Sequence, residues 1–103
     1  MNNADRQIVK KLNRRTYYST SDYRIWLEDI NEQLFIHVAI YNTTKNTINE
    51  IKEKWAELMI DAYFQGYEDV FAYTKDNRII KIIGGANKIG EHEDYEVWKW
   101  ELK

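Results

Sequence analysis

From Ile48 to Ala62 the apolar residues Ile48, Ile51, Trp55, Leu58, Met59 and Ala62 recur in steps of three and four. Glu50, Lys52, Glu53, Lys54, Glu57 and Asp61 fill much of the remaining circumference. That spacing predicts an amphipathic helix of about four turns. One apolar stripe on a helix needs a second layer to cover it, so the chain is expected to fold as a layered domain. Thr47 and Glu50 stand at capping-box spacing, which would satisfy two orphan amides at the helix start. Gly66 suits the left-handed position that closes such a helix.

The flanking segments supply the second layer. In Tyr23-Arg24-Ile25-Trp26-Leu27-Glu28 the residues Tyr23, Ile25 and Leu27 share one face of a strand. Asp29-Ile30-Asn31-Glu32 carries turn chemistry, and Leu34 to Tyr41 is apolar on nearly every position, as expected of a central strand covered on both sides. The two read as an antiparallel hairpin. Glu68 to Thr74 reads as a further strand, Lys88 to Glu91 as a short one, and Tyr95 to Leu102 as a last one with Trp98, Trp100 and Leu102 on one face. Arg78 to Ile83 fits either a strand, by its isoleucines, or a short helix stopping at Gly84-Gly85. Ile8, Val9 and Leu12 have helical spacing near the start. The expected fold class is α/β, an α+β layered domain with a mostly antiparallel mixed sheet, one long central helix, and a short helix at the N-terminus.

Composition narrows the functional classes. With 103 residues, the chain is expected to form one domain over 1–103, split into a basic arm at 1–21 and a core at 22–103. There is no cysteine, so neither a disulfide framework nor a thiolate metal site is available, and a reducing cytoplasm is the expected location. No apolar run approaches membrane-spanning length, and the polar opening Met1-Asn2-Asn3-Ala4-Asp5 does not read as a secretory leader. Isoleucine, lysine, asparagine and tyrosine together make up 40 residues, a bias of A/T-rich genomes such as those of many phages. Charge is uneven: residues 1–15 hold Arg6, Lys10, Lys11, Arg14 and Arg15 against Asp5, while the other 88 hold 10 basic and 16 acidic side chains. A basic arm on an acidic body can meet phosphate or an acidic partner, or can simply be the solvated face of a short helix.

The order of strand hairpin, long helix, Val/Ala-rich strand, short Gly-Gly-terminated segment and two closing strands resembles the second half of the GNAT acetyltransferase fold. The resemblance runs through Gly66-Tyr67-Glu68-Asp69-Val70-Phe71-Ala72-Tyr73-Thr74, Asp76-Asn77-Arg78 to Ile83-Gly84-Gly85-Ala86, Lys88-Ile89-Gly90-Glu91, and Tyr95 to Leu102. It covers roughly residues 22–103, and its nearest flavour is the short GNAT-like proteins of tailed phages, some of them internal virion proteins. On that resemblance residues 76–84 are expected to be helical. It also implies acetyl-CoA, whose pyrophosphate the family holds on a Gly-rich turn at the start of the main helix. Here that stretch is Tyr41-Asn42-Thr43-Thr44-Lys45-Asn46-Thr47, without glycine, and all four glycines stand at or beyond Gly66. The tyrosine that many members place in the short helix, to protonate the leaving thiolate, is replaced by Ile79, Ile80, Ile82 and Ile83. About 21 residues precede the hairpin, too few for the usual acceptor-substrate half.

The expected function is therefore binding rather than acetyl transfer: a phage accessory protein that engages a host or virion protein without a cofactor. The candidate contact residues are Arg14, Arg15, Tyr17, Tyr18 and Trp26, an arginine and aromatic grouping of the kind found at interface hot spots. Self-association is compatible with such a patch. The enzymatic alternative is a minimal N-acetyltransferase binding acetyl-CoA across Ile40–Asn46 with Lys45 on an anion and Asn77 near the pantetheine arm. The third reading is a nucleic-acid module, since bases stack on aromatics while arginines meet phosphates; the net charge of −2 weighs against it. His37, on an apolar strand, is expected to be packed and hydrogen-bonded, and Glu91-His92-Glu93-Asp94 to be a solvated acidic turn rather than a metal site.

Overall fold

The computed structural model describes residues 14–102. The expected N-terminal helix at Ile8, Val9 and Leu12, and most of the basic arm, lie outside the described residues. Along the chain come β1 (Arg14–Ser19), β2 (Tyr23–Ile30), β3 (Gln33–Ile40), α1 (Lys45–Phe64), β4 (Asp69–Thr74), α2 (Arg78–Ile83), β5 (Asn87–His92) and β6 (Tyr95–Glu101). The strands form one six-stranded sheet in the order β1-β2-β3-β4-β6-β5. Among the described strands only β3 and β4 run parallel, as α1 carries the chain back across the sheet between them.

The helix stripe and the strand alternation meet on one face. Ile51, Trp55, Leu58 and Ala62 of α1 are buried in one cluster with Tyr23, Ile25 and Leu27 of β2, Leu34 and Ile36 of β3, Val70 and Ala72 of β4, and Trp100 of β6. Ile80 brings α2 into the same cluster, so both helices cover the same side. The isoleucine-rich segment 78–83 is thus helical. Gly84 ends it with φ +77°, and its carbonyl accepts the Trp100 indole N–H at 2.9 Å. The opposite face of β3 differs from expectation: Phe35, His37 and Ala39 stay half-buried, because no described helix buries a residue against them.

Both ends of α1 are chemically closed. The helix starts three residues before the expected cap: Thr44 is the N-cap, and its hydroxyl accepts the Thr47 amide at 3.1 Å. Thr47 sits inside the first turn instead, buried, its hydroxyl donating to the Asn42 carbonyl at 3.1 Å. Threonines three residues apart offer the same signature twice, and the chain uses the earlier one. Thr44→Ala should cost about 1 kcal/mol of stability, read as a shift in the urea midpoint at constant slope. At the other end the Tyr67 amide bonds Ala62 O and the Gly66 amide bonds Tyr63 O, a Schellman closure with Gly66 at φ +95° as its spacing implied.

Residues 14–19, placed in the arm by the sequence, are an edge strand. A β-bulge interrupts the β1–β2 register between Thr16 and Tyr18. Tyr17 and Tyr18 consequently both reach the α1 side, and the alternation that marks a strand is lost. The Tyr17 hydroxyl donates to Asp61 at 2.8 Å, and Lys54 lies 4.4 Å over the Tyr18 ring.

Candidate functional site

The pairing of β3 with β4 extends only over Leu34–Ile36 and Val70–Ala72, though β3 continues to Ile40 and β4 to Thr74. Where the strands part, a cleft of about 420 Å³ opens among Val38, Ile40, Ile48, Ile79 and Ile82, with Thr43 at the α1 end. A deeper pocket of about 100 Å³ shares Val38, Thr74 and Ile79 with it and adds Trp55, His37 and Tyr73. The walls are apolar, and the Asp76–Arg78 ion pair, 2.6 Å, stands at the side. Arg78, by hydrogen bonds to the carboxylate, holds Asp76 below the usual carboxylate range. Trp55 contributes the unusual group: it is 2% exposed, and its indole N–H has no acceptor among the described residues. A buried donor without an acceptor costs roughly 1–3 kcal/mol.

The two residues expected to hold a cofactor are not brought together here. Lys45 is exposed on the first turn of α1 and does not line the cleft. Asn77 faces a separate hollow with Glu91, Glu93 and Asp94, and its amide donates to Glu96 at 2.8 Å. Glu96 also takes Lys88 at 3.1 Å and the Trp98 indole at 3.2 Å. The Asn77 bond first, then that of Lys88, holds Glu96 below the usual carboxylate range. Asn77 therefore ties the start of α2 to β6. At the helix start the Thr44 hydroxyl takes one N-terminal amide, that of Thr47.

The expected contact patch is also divided. Arg14 pairs with Glu28 through the backbone, and Arg15 is exposed close to the Tyr67 hydroxyl. Tyr17 and Tyr18 are spent on α1. Burial first, then the bond to Asp61, pushes Tyr17 up to about 12. Trp26 lies on the other side of the sheet, stacked on His37 at 5.2 Å with the Arg24 guanidinium 5.1 Å from its ring. The bulge in β1 is the reason: Thr16 pairs with Trp26, so Tyr17 faces α1 in any case, and without the bulge Tyr18 would pair with Arg24 on the Trp26 face. Trp26 cannot act in one surface with the two tyrosines.

His37 is packed and bonded, its Nε2 3.3 Å from Glu28 Oε1. His92 is exposed, 3.9 Å from Glu93. Among the described residues no group of three or more His, Cys, Asp or Glu side chains could hold a metal ion, and no helix is long and apolar enough to cross a membrane.

Two surfaces escaped the sequence reading. On the outer side of α1, Ile60, Tyr63 and Phe64 are 58%, 52% and 81% exposed, with the two rings packed edge to face at 5.6 Å. Their i, i+3, i+4 spacing was a readable signal: three large apolar residues outside the buried stripe. The sheet face over which no described helix lies is the second, with Phe35 stacked on Phe71 at 5.3 Å and Tyr73 on Tyr95 at 4.4 Å. Comparison with protein-family models, with curated proteins and with solved structures finds no match to this chain.

Proposed function

We propose that this chain is a GNAT-like domain of phage type that works by binding a protein and not by transferring an acetyl group. The observation that carries the reading is the exposed triplet Ile60, Tyr63 and Phe64. Such a triplet on one helix is the anchor pattern by which a helix enters an apolar groove, and monomeric surfaces seldom leave one open. Glu53 and Glu57 follow the same side of α1, so the matching groove would carry a basic rim. The family resemblance is supported by the element order, three strands, a long helix, a strand, a short helix and two strands. Loss of transfer is supported by the glycine-free start of α1.

The test is capture from bacterial lysate by the full chain and by an Ile60→Glu/Phe64→Glu variant of unchanged melting temperature. Loss of a captured protein with the variant supports the reading. Equal capture by both, or none by either, overturns it. A centrally placed aromatic anchor such as Phe64 typically carries about 2 kcal/mol or more, so the double change should weaken binding at least about 30-fold.

One observation favours the acetyl-CoA alternative. The Trp55 N–H lines the deep pocket between the parted strands, where a ligand carbonyl would give it an acceptor.

A further inference from the structure

Beyond Ile36 and Ala72 the strands β3 and β4 stop pairing, and the cleft of about 420 Å³ between them adjoins the deep pocket lined by Trp55. Val38 and Ile40 of β3, Ile48 of α1, and Ile79 and Ile82 of α2 supply its walls. Apolar walls around a very few convergent polar groups are the usual form of a small-molecule site. Here the polar group at depth is the Trp55 indole, 2% exposed and without an acceptor among the described residues. The Thr74 hydroxyl nearby is already engaged: it donates to the Asp76 carbonyl at 2.8 Å and accepts the Asp76 amide at 3.1 Å.

We infer that the cleft binds a small uncharged molecule with an apolar body and a carbonyl oxygen. The body lies among Val38, Ile40, Ile79 and Ile82, and the oxygen accepts from the Trp55 N–H. A buried donor that gains an acceptor recovers the cost of its desolvation, so this one bond sets both orientation and preference.

Charge selects the class. The charged groups along the walls are Asp76 and Arg78, and their ion pair of 2.6 Å engages each with the other. His37, at the inner end, has its Nε2 3.3 Å from Glu28. The walls therefore offer no further cation to a phosphate or carboxylate and no further carboxylate to an ammonium group. A charged ligand moved there from water would go uncompensated, whereas an uncharged one loses little. The same argument separates this ligand from acetyl-CoA, whose phosphates need cations or a backbone cradle. Lys45, the nearest candidate in sequence, does not line the cleft. The inference also stands apart from the docking triplet, since Ile60, Tyr63 and Phe64 line neither the cleft nor the pocket. Failure of one leaves the other in place.

The test is a titration of the isotope-labelled full chain, followed by NMR at the indole N–H resonances and the isoleucine methyls. Among the four tryptophans, Trp55 is identified by the resonance missing from Trp55→Phe. Acetophenone is expected to move that resonance downfield. It should bind at least about 5-fold more tightly than ethylbenzene, which has nearly the same shape without the oxygen. In Trp55→Phe the preference, read at the Ile79 and Ile82 methyls, should disappear. Ile79→Trp, which fills the cleft, should abolish binding of both compounds. Should a circular-dichroism melt show that variant unfolded, Ile82→Trp at the exposed mouth takes its place. A Trp55 resonance unmoved by acetophenone up to its solubility limit would overturn the inference. So would equal affinity for the two compounds, or undiminished binding in a folded cleft-filling variant. Acetyl-CoA moving the same resonance at equal or higher affinity would overturn it as well, and would assign the cleft to a charged thioester.

Discussion

Trp55→Ala is expected to remove about 3–5 kcal/mol of stability, the cost of deleting a large aromatic from a packed core. That is about half of what a domain of this length has in total. Trp55 is enclosed at the centre of α1 and meets Trp100 with ring centroids 5.3 Å apart, so no neighbour on the rigid sheet can move in to fill the space. Trp55→Phe separates two contributions. It keeps most of the packing and removes an N–H that has no acceptor among the described residues. The lost volume and the relieved donor oppose each other, so the net cost should be below about 1.5 kcal/mol. Urea unfolding at constant slope measures both. A phenylalanine variant as unstable as the alanine one would mean that the indole nitrogen is bonded after all.

Stability should also fall steeply between pH 10 and pH 12. Three tyrosines are pushed up to about 12, each mainly by burial: Tyr17, Tyr23 and Tyr67. Asp61 and Asp29 add to the effect at Tyr17 and Tyr67 by accepting hydrogen bonds from their hydroxyls, and the Glu50 charge adds to it at Tyr23. Well below pH 10 all three are neutral in both states, and the folded state bears no cost of a buried phenolate. As pH rises, the unfolded chain releases its tyrosine protons first, so the folded state binds more protons and loses stability until about pH 12. For Tyr23, 0% exposed, the loss is roughly 3 kcal/mol; solvent screening makes it smaller at the half-exposed Tyr17 and Tyr67. Urea midpoints from pH 8 to pH 12 should show the fall, and Tyr23→Phe should flatten it most. A midpoint that is level to pH 12, or an unchanged slope in the phenylalanine variant, would contradict this assignment.

What the sequence disclosed tracks the range of the interaction concerned. The long helix was legible because a stripe such as Ile51, Trp55, Leu58 and Ala62 is a local pattern, and so was its end at Gly66. Its beginning was misplaced by three residues because Thr44 and Thr47 are equally good caps, and the choice depends on where β3 releases the chain. Strand β1 was hidden by the bulge that puts Tyr17 and Tyr18 on one side. Residues 78–83 have no decisive period of their own, and the family resemblance supplied the helix.

The site was less legible than the fold. Arg14, Arg15, Tyr17, Tyr18 and Trp26 are neighbours in sequence, but the sheet separates the last from the two tyrosines. The cleft draws its walls from residues 38–48 and 74–82, which only the parallel pairing of β3 and β4 brings together. Asn77 looked available as a ligand because nothing local shows that Glu96, nineteen residues on, takes its amide.

The central proposal is that the cleft does not hold acetyl-CoA and that the domain acts by binding a protein. Its most direct test is the melting temperature of the full chain titrated with acetyl-CoA to millimolar concentration. The account predicts no shift. Ligand at 100 times its dissociation constant would add about 2.7 kcal/mol, on the order of 10–20 °C for a domain of this size, and a rise of that kind would contradict it.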